Sequence, residues 1–113
     1  MNLDQARRFA LSLPEALEAP HFELTSFRVR GKIFATATAD EAFLHVFLDP
    51  AEVEVWAALE PGACERLLWG QKVAGLRVRL AKAKAALVKD LLQAAWTRKA
   101  PKGLVKGLGA PPP

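Results

Sequence analysis

The sequence has no tyrosine, a single cysteine, two serines, two histidines and no long apolar run. Each shortage removes a class of chemistry. Cys64 alone forms no internal disulfide and no cysteine-based metal cluster. It sits in an apolar stretch that reads as a buried thiol, and no base can be assigned beside it. His21 and His45 fall on an expected loop and an expected strand. Asp49 and Glu23 are the acidic residues that would have to join them, and the spacing is not that of a zinc site. Neither Ser12 nor Ser26 lies in a nucleophile elbow. No acid/base or nucleophile pair can be assembled, so the chain is not expected to be an enzyme or to hold a metal or cofactor. No stretch approaches the roughly 20 apolar residues that cross a bilayer. Met1–Gln5 lacks the basic start and apolar core of a secretory signal. These features point to a cytoplasmic, membrane-free protein, with a monomer as the default. Few Asn and Gln beside much Ala, Leu, Arg and Glu suit a thermophile.

What is present is a split of charge. Residues 1–60 hold five basic and ten acidic side chains, and residues 61–113 hold eleven basic and two acidic. The net charge of +4 conceals this asymmetry. Clustered positive charge makes a local potential that attracts phosphates or acidic surfaces. At 113 residues and 51% apolar content, the chain is long enough for one self-sufficient core.

The periodicities predict a helix over Leu3–Leu13, capped by Asn2 with Gln5 completing a capping box and stopped by Pro14. A loop with Pro14 and Pro20 covers 14–25. Strands are expected at Ser26–Arg30, Ile33–Thr38 and Ala42–Leu48, with a tight turn at Gly31-Lys32. Asp49-Pro50 opens a helix to about Leu59, since Asp is a favoured N-cap and Pro a favoured first residue. Two more strands follow, Cys64–Trp69 and Leu76–Leu80, then a helix from Ala81 to about Arg98. The expected architecture is α+β and two-layered. A five-stranded antiparallel sheet, in the order α-β-β-β-α-β-β-α, carries its helices on one face. One domain is expected over 1–102, followed by a flexible basic Gly/Pro-rich tail over 103–113. The glycines at 103, 107 and 109 lack the strand context and spacing of a phosphate-binding loop.

Alternation places Arg28 with Arg30, and Arg77 with Arg79, on faces opposite the apolar side chains of their strands. Lys32 sits at the neighbouring turn, and Lys72 in an expected loop from Gly70 to Gly75. These six are the candidate nucleic-acid-binding residues, contacting backbone phosphates with no sequence-reading motif among them. The plain alternative is an ordinary polar strand face, with arginines paired to carboxylates or covering apolar surface. Phe43 and Trp69 are candidate stacking residues, against their more ordinary use in packing. Arg98, Lys99, Lys102 and Lys106 form a second basic group, which reads either as a flexible tail that tracks a phosphate backbone without reading sequence or as a solvated tail that complements a helix C-terminus. The partner is then nucleic acid, with DNA favoured over RNA. A protein-interaction module using the aromatic and charged open sheet face is the alternative. A third reading is a small-molecule or anion pocket with His21 at its rim.

Leu13-Pro14-Glu15, Pro20-His21-Phe22 and Ser26-Phe27-Arg28-Val29-Arg30-Gly31-Lys32-Ile33-Phe34-Ala35 together resemble the MmcQ/YjbR family. Leu48-Asp49-Pro50, Gly75–Leu80 and Leu91–Trp96 agree more loosely, and the likeness spans about residues 3–102. The resemblance implies a small bacterial α+β domain related to secretion-chaperone and frataxin-like architectures. It also implies a "double wing" arrangement proposed to bind DNA, and it brings no catalytic residues. The chain departs from the family pattern at Glu23-Leu24-Thr25, which sets a negative charge beside the first predicted strand.

Overall fold

A computed structural model describes residues 1–109, and the backbone alone for 107–109. The first helix, α1, covers Leu3–Ser12. Its cap is the capping box anticipated above, with Asn2 accepting from the Gln5 backbone and Gln5 accepting from that of Asn2. Six strands follow among the described residues: β1 Ala16–His21, β2 Leu24–Val29, β3 Lys32–Ala37, β4 Phe43–Val46, β5 Cys64–Trp69 and β6 Lys72–Arg79. Helix α2, Pro50–Leu59, lies between β4 and β5 and is capped by Asp49. After β6 come a single turn of 3-10 helix, α3 at Ala85–Lys99 and α4 at Lys102–Gly109.

The strands form one antiparallel sheet in the order β1-β2-β3-β4-β6-β5. This α+β architecture matches the expectation in kind, but the sheet has six strands rather than five. The additional strand is β1, inside the segment expected to be a loop. Pro20 argued against a strand there, because it cannot donate to a ladder. At a sheet edge one side of the strand needs no donor, so proline is tolerated. Ser26 Oγ donates to the Ala19 carbonyl, and Arg7 on α1 pairs with Glu18, both holding β1 in place.

The core lies between the sheet and the helices. Phe27 and Val29 of β2, Ala35 and Ala37 of β3, Leu44 and Val46 of β4, and Leu76 and Val78 of β6 are all buried in it. Helix α3 contributes Leu87, Val88, Leu91, Leu92, Ala95 and Trp96, and α2 contributes Val53. Burying side chains of this size stabilises by roughly 1.5–3 kcal/mol each relative to exposure. Trp96 is fully buried, and its indole N–H donates to the Pro14 carbonyl at 3.0 Å. That bond pins the α1–β1 connection to α3.

Where a flexible tail was expected, α4 occupies Lys102–Gly109, with Leu104 and Val105 partly buried against the core. Residues 110–113 of that expected tail lie outside the described residues.

Candidate functional site

The antiparallel register lays out the open face of the sheet in rows. Ser26, Thr36, His45, Arg77 and Glu65 stand opposite one another across β2, β3, β4, β6 and β5. Strands β3 and β6 both run antiparallel to β4 and therefore run the same way. Their first residues, Lys32 and Lys72, belong to one end of the sheet. Arg79 closes β6 at the other end, about 23 Å from Lys72 at 3.3 Å per residue.

The six predicted phosphate contacts therefore divide. Arg28 is half-buried on the open face. Its Nε donates to Ser26 Oγ at 2.9 Å and its Nη2 reaches toward the Pro20 carbonyl, so it braces the β1–β2 hairpin. Arg30 does not continue the face of Arg28. The two-residue turn between β2 and β3 is Arg30-Gly31 rather than Gly31-Lys32, with φ of 50° and 80°. Positive φ at both turn residues matches the twist of a hairpin and swings Arg30 out of the strand pleat. There it forms a two-pronged ion pair with Glu15, at 2.6 and 2.9 Å. Hydrogen bonding to Glu15 raises the Arg30 pKa, and hydrogen bonding to Arg30 lowers that of Glu15.

At the far end, the Arg77 guanidinium lies 3.7 Å from the centre of the Phe43 ring, with that of Arg79 at 5.0 Å. Arg77 also sits 3.8 Å from Glu65. Phe43, a predicted stacking residue, thus already has cationic partners within the chain. His45 is opposite Arg77, and its Nδ1 is 3.3 Å from Thr36 Oγ1. Burial first, and Arg77 second, push the His45 pKa below its ordinary value, so the imidazole is neutral at neutral pH. Neither His45 Nε2 nor Arg77 Nε has a protein hydrogen-bond partner among the described residues, and both are buried.

At the near end a cleft of about 590 Å³ opens. Ile33, Thr36 and His45 line it, with the aromatic rings of Phe47 and Trp69. Those rings are tilted against each other with centroids 5.8 Å apart, and Trp69 remains 65% exposed. Gly75 makes the arrangement possible. A Cβ there would lie 2.5 Å from the Val46 carbonyl oxygen and 3.3 Å from the Phe47 ring. Only glycine lets β4 and Phe47 approach β6 this closely.

Lys72, Arg98 and Lys99 complete the cleft, and none of its lining residues is acidic. Arg98 also donates to the Phe47 carbonyl at 3.3 Å. Burial first, and then the positive charges of Arg98 and Lys32, lower the pKa of Lys99. Among the described residues, none of Lys32, Lys72, Arg98 and Lys99 has a carboxylate within 4 Å. Arg98 and Lys99 were readable only as part of a basic tail. The packing of α3 along β3 and β4 carries its last turn to the near end of the sheet. His21, expected at the rim of a pocket, does line this cleft.

Cys64 is buried, and desolvation followed by Glu60 pushes its thiol up to about 11. It is a thiol rather than a thiolate at neutral pH. Among the described residues, no group of three or more His, Cys, Asp or Glu is placed to hold a metal ion. No helix among them is long and apolar enough to cross a membrane.

The sequence matches the model of the YjbR family over residues 11–98, and the chain belongs to that family. No curated protein matches it. Among solved structures, it is similar to the crystal structure of Deinococcus radiodurans protein DR2400, which carries the domain DUF419. The TM-score is 0.76 at 24% sequence identity, over 97% of this chain and 89% of that one. At that identity the likeness speaks for the fold.

Proposed function

We propose that this chain is a non-enzymatic nucleic-acid-binding domain that uses the near end of its open sheet face. One observation carries the reading. Lys72, Arg98 and Lys99 converge on a cleft without acidic residues, beside an exposed indole, with Lys32 close to Lys99. Cations without carboxylate partners can neutralise phosphates and release counterions, and an exposed aromatic face can stack on a base. The binding residues in this reading are Lys32, Lys72, Arg98, Lys99 and Trp69. Arg30 and Arg77 already have partners within the chain and have a lesser part. Contacts of this kind position a backbone rather than read bases, so the preference among sequences is weak.

The test is a fluorescence-anisotropy titration of labelled oligonucleotides of about 20 residues, single-stranded and duplex, DNA and RNA. Binding is expected at about 50 mM salt, weakening on the order of tenfold by about 200 mM. No detectable binding of any of the four at low salt would end the proposal.

A second reading rests on Phe22. It is 94% exposed at the β1–β2 turn with φ of 57°, a conformation rare for a bulky residue. An aromatic side chain held in this way at a hairpin tip suits docking of a protein partner. A partner that persists in pull-downs after nuclease treatment, and is lost with Phe22→Ser, would favour it.

A further inference from the structure

The aromatic wall and the cations belong to one cavity rather than to a flat surface. We propose that this cleft takes a single nucleotide unit, with the planar ring against Trp69 and Phe47 and the phosphate on Lys72, Arg98 and Lys99. The inference rests on the nucleic-acid reading for its location, and it adds what the site accepts. Four observations support it. The volume of about 590 Å³ lies within the range of small-molecule sites and holds one base with its sugar and phosphate. The walls combine apolar and aromatic side chains with few polar groups, as such sites do. The Trp69 ring is steadied on one side by Phe47 yet 65% exposed, so it offers area without first being uncovered. Finally, the charge is of one sign. A phosphate meets three cations and no carboxylate, whereas a cationic ligand would find no counter-charge among the lining residues.

His45 and Thr36 give the cleft a polar side that stays neutral, because burial and Arg77 keep the imidazole uncharged. A neutral wall suits an uncharged base. The anion is directed to Arg98 and Lys99, which end α3.

The same chemistry arises from a free nucleotide and from one residue of a strand, and the experiment separates them. Deoxyadenosine monophosphate is titrated into the full chain by isothermal calorimetry, with inorganic phosphate and deoxyadenosine as partial probes. A short single-stranded oligonucleotide is followed in parallel by anisotropy. The variants are Trp69→Ala and Arg98→Ala/Lys99→Ala, all at exposed or half-buried positions, with exposed Arg8→Ala as the control. Thermal melts verify that each is folded.

Saturable binding of the monophosphate is expected. It should weaken roughly tenfold in Trp69→Ala, as for loss of one base stack, and at least as much in the double variant, with no change in Arg8→Ala. The partial probes should bind more weakly than the monophosphate. If phosphate binds as well as the monophosphate, or Trp69→Ala leaves both titrations unchanged, the single-nucleotide site is overturned. Oligonucleotide binding would then stand on charge alone. If the monophosphate binds with the expected dependence but the oligonucleotide does not bind, the cleft is a site for free nucleotides. In that case it is the broader nucleic-acid reading that fails.

Discussion

The two ends of the open sheet face use their cations differently. At the far end, Arg77 and Arg79 lie over Phe43, and Arg77 faces Glu65 and a neutral His45. At the near end, Lys72, Arg98 and Lys99 meet around a cleft that holds no acidic residue. The far-end guanidinium groups lie against an aromatic ring, and Arg77 also against a carboxylate, whereas among the described residues the cations of the near-end cleft have no carboxylate partner and Arg98 meets the Phe47 carbonyl. A cation stacked on a ring gains roughly 0.5–2 kcal/mol from the ring and must give up part of that to engage another partner. An unpaired cation gives up mainly water and counterions, which a phosphate replaces. Positive charge alone therefore does not mark a binding surface. The partners already present decide which charges are available.

Charge reversal should expose the contrast most strongly. Lys72→Glu/Lys99→Glu is expected to weaken oligonucleotide binding by two orders of magnitude or more at low salt, since it removes two phosphate contacts and adds two repulsions. Neutralising the far end with Arg77→Ala/Arg79→Ala should change affinity less than threefold. Equal losses at the two ends, measured by anisotropy, would erase the distinction. The far-end arginines should instead matter for stability. Arg77→Ala removes a guanidinium at 3.7 Å from Phe43 and is expected to cost about 1 kcal/mol in urea denaturation. Lys72→Ala, on an exposed side chain with no ion pair, should cost nothing measurable.

A smaller effect follows from His45. Its pKa in the folded protein is depressed below the ordinary 6.5. As the pH falls below about 6.5, the unfolded chain binds a proton that the folded protein refuses, so stability declines until the folded pKa is reached. Above that window the group contributes no pH dependence. Melting temperatures between about pH 7.5 and 5.5 should fall for the natural sequence and fall less for His45→Gln. Smallest of all is Arg30→Ala. Its ion pair with Glu15 is short but lies in solvent, where pairing gains little over hydration. The melting temperature should stay within about a degree, and oligonucleotide affinity should hardly change.

Much of the architecture was legible because local rules and tertiary packing agree. The Asn2 and Asp49 caps, the alternating strands around Phe27, Leu44 and Val78, and the periodic stripe of α3 each follow from a short window of sequence. Strand β1 was not legible. Its pairing with β2 is a tertiary fact, and Pro20 argues against a strand wherever the edge position is unknown. The candidate site was half legible. Lys32, Lys72 and Trp69 were readable from strand ends and turns. Arg30 was assigned to a strand face because a two-residue turn can be placed one residue earlier or later without breaking the alternation. Its Gly31 neighbour fits either choice. Arg98 and Lys99 were legible as part of a basic tail that could track a phosphate backbone but not as the wall of a cleft, because no local pattern tells where the last turn of a helix will pack. Phe47 reaches the cleft through Gly75, and nothing in the sequence pairs those two positions.

The most direct measurement is the salt dependence of single-stranded oligonucleotide binding, compared between the natural sequence and Lys72→Glu/Lys99→Glu. With about three phosphates neutralised at the near end, the logarithm of affinity should fall against the logarithm of salt concentration with a slope of about −2, and the slope should flatten toward zero in the double variant. Parallel lines for the two proteins would show that these cations do not meet phosphates, and would contradict the account.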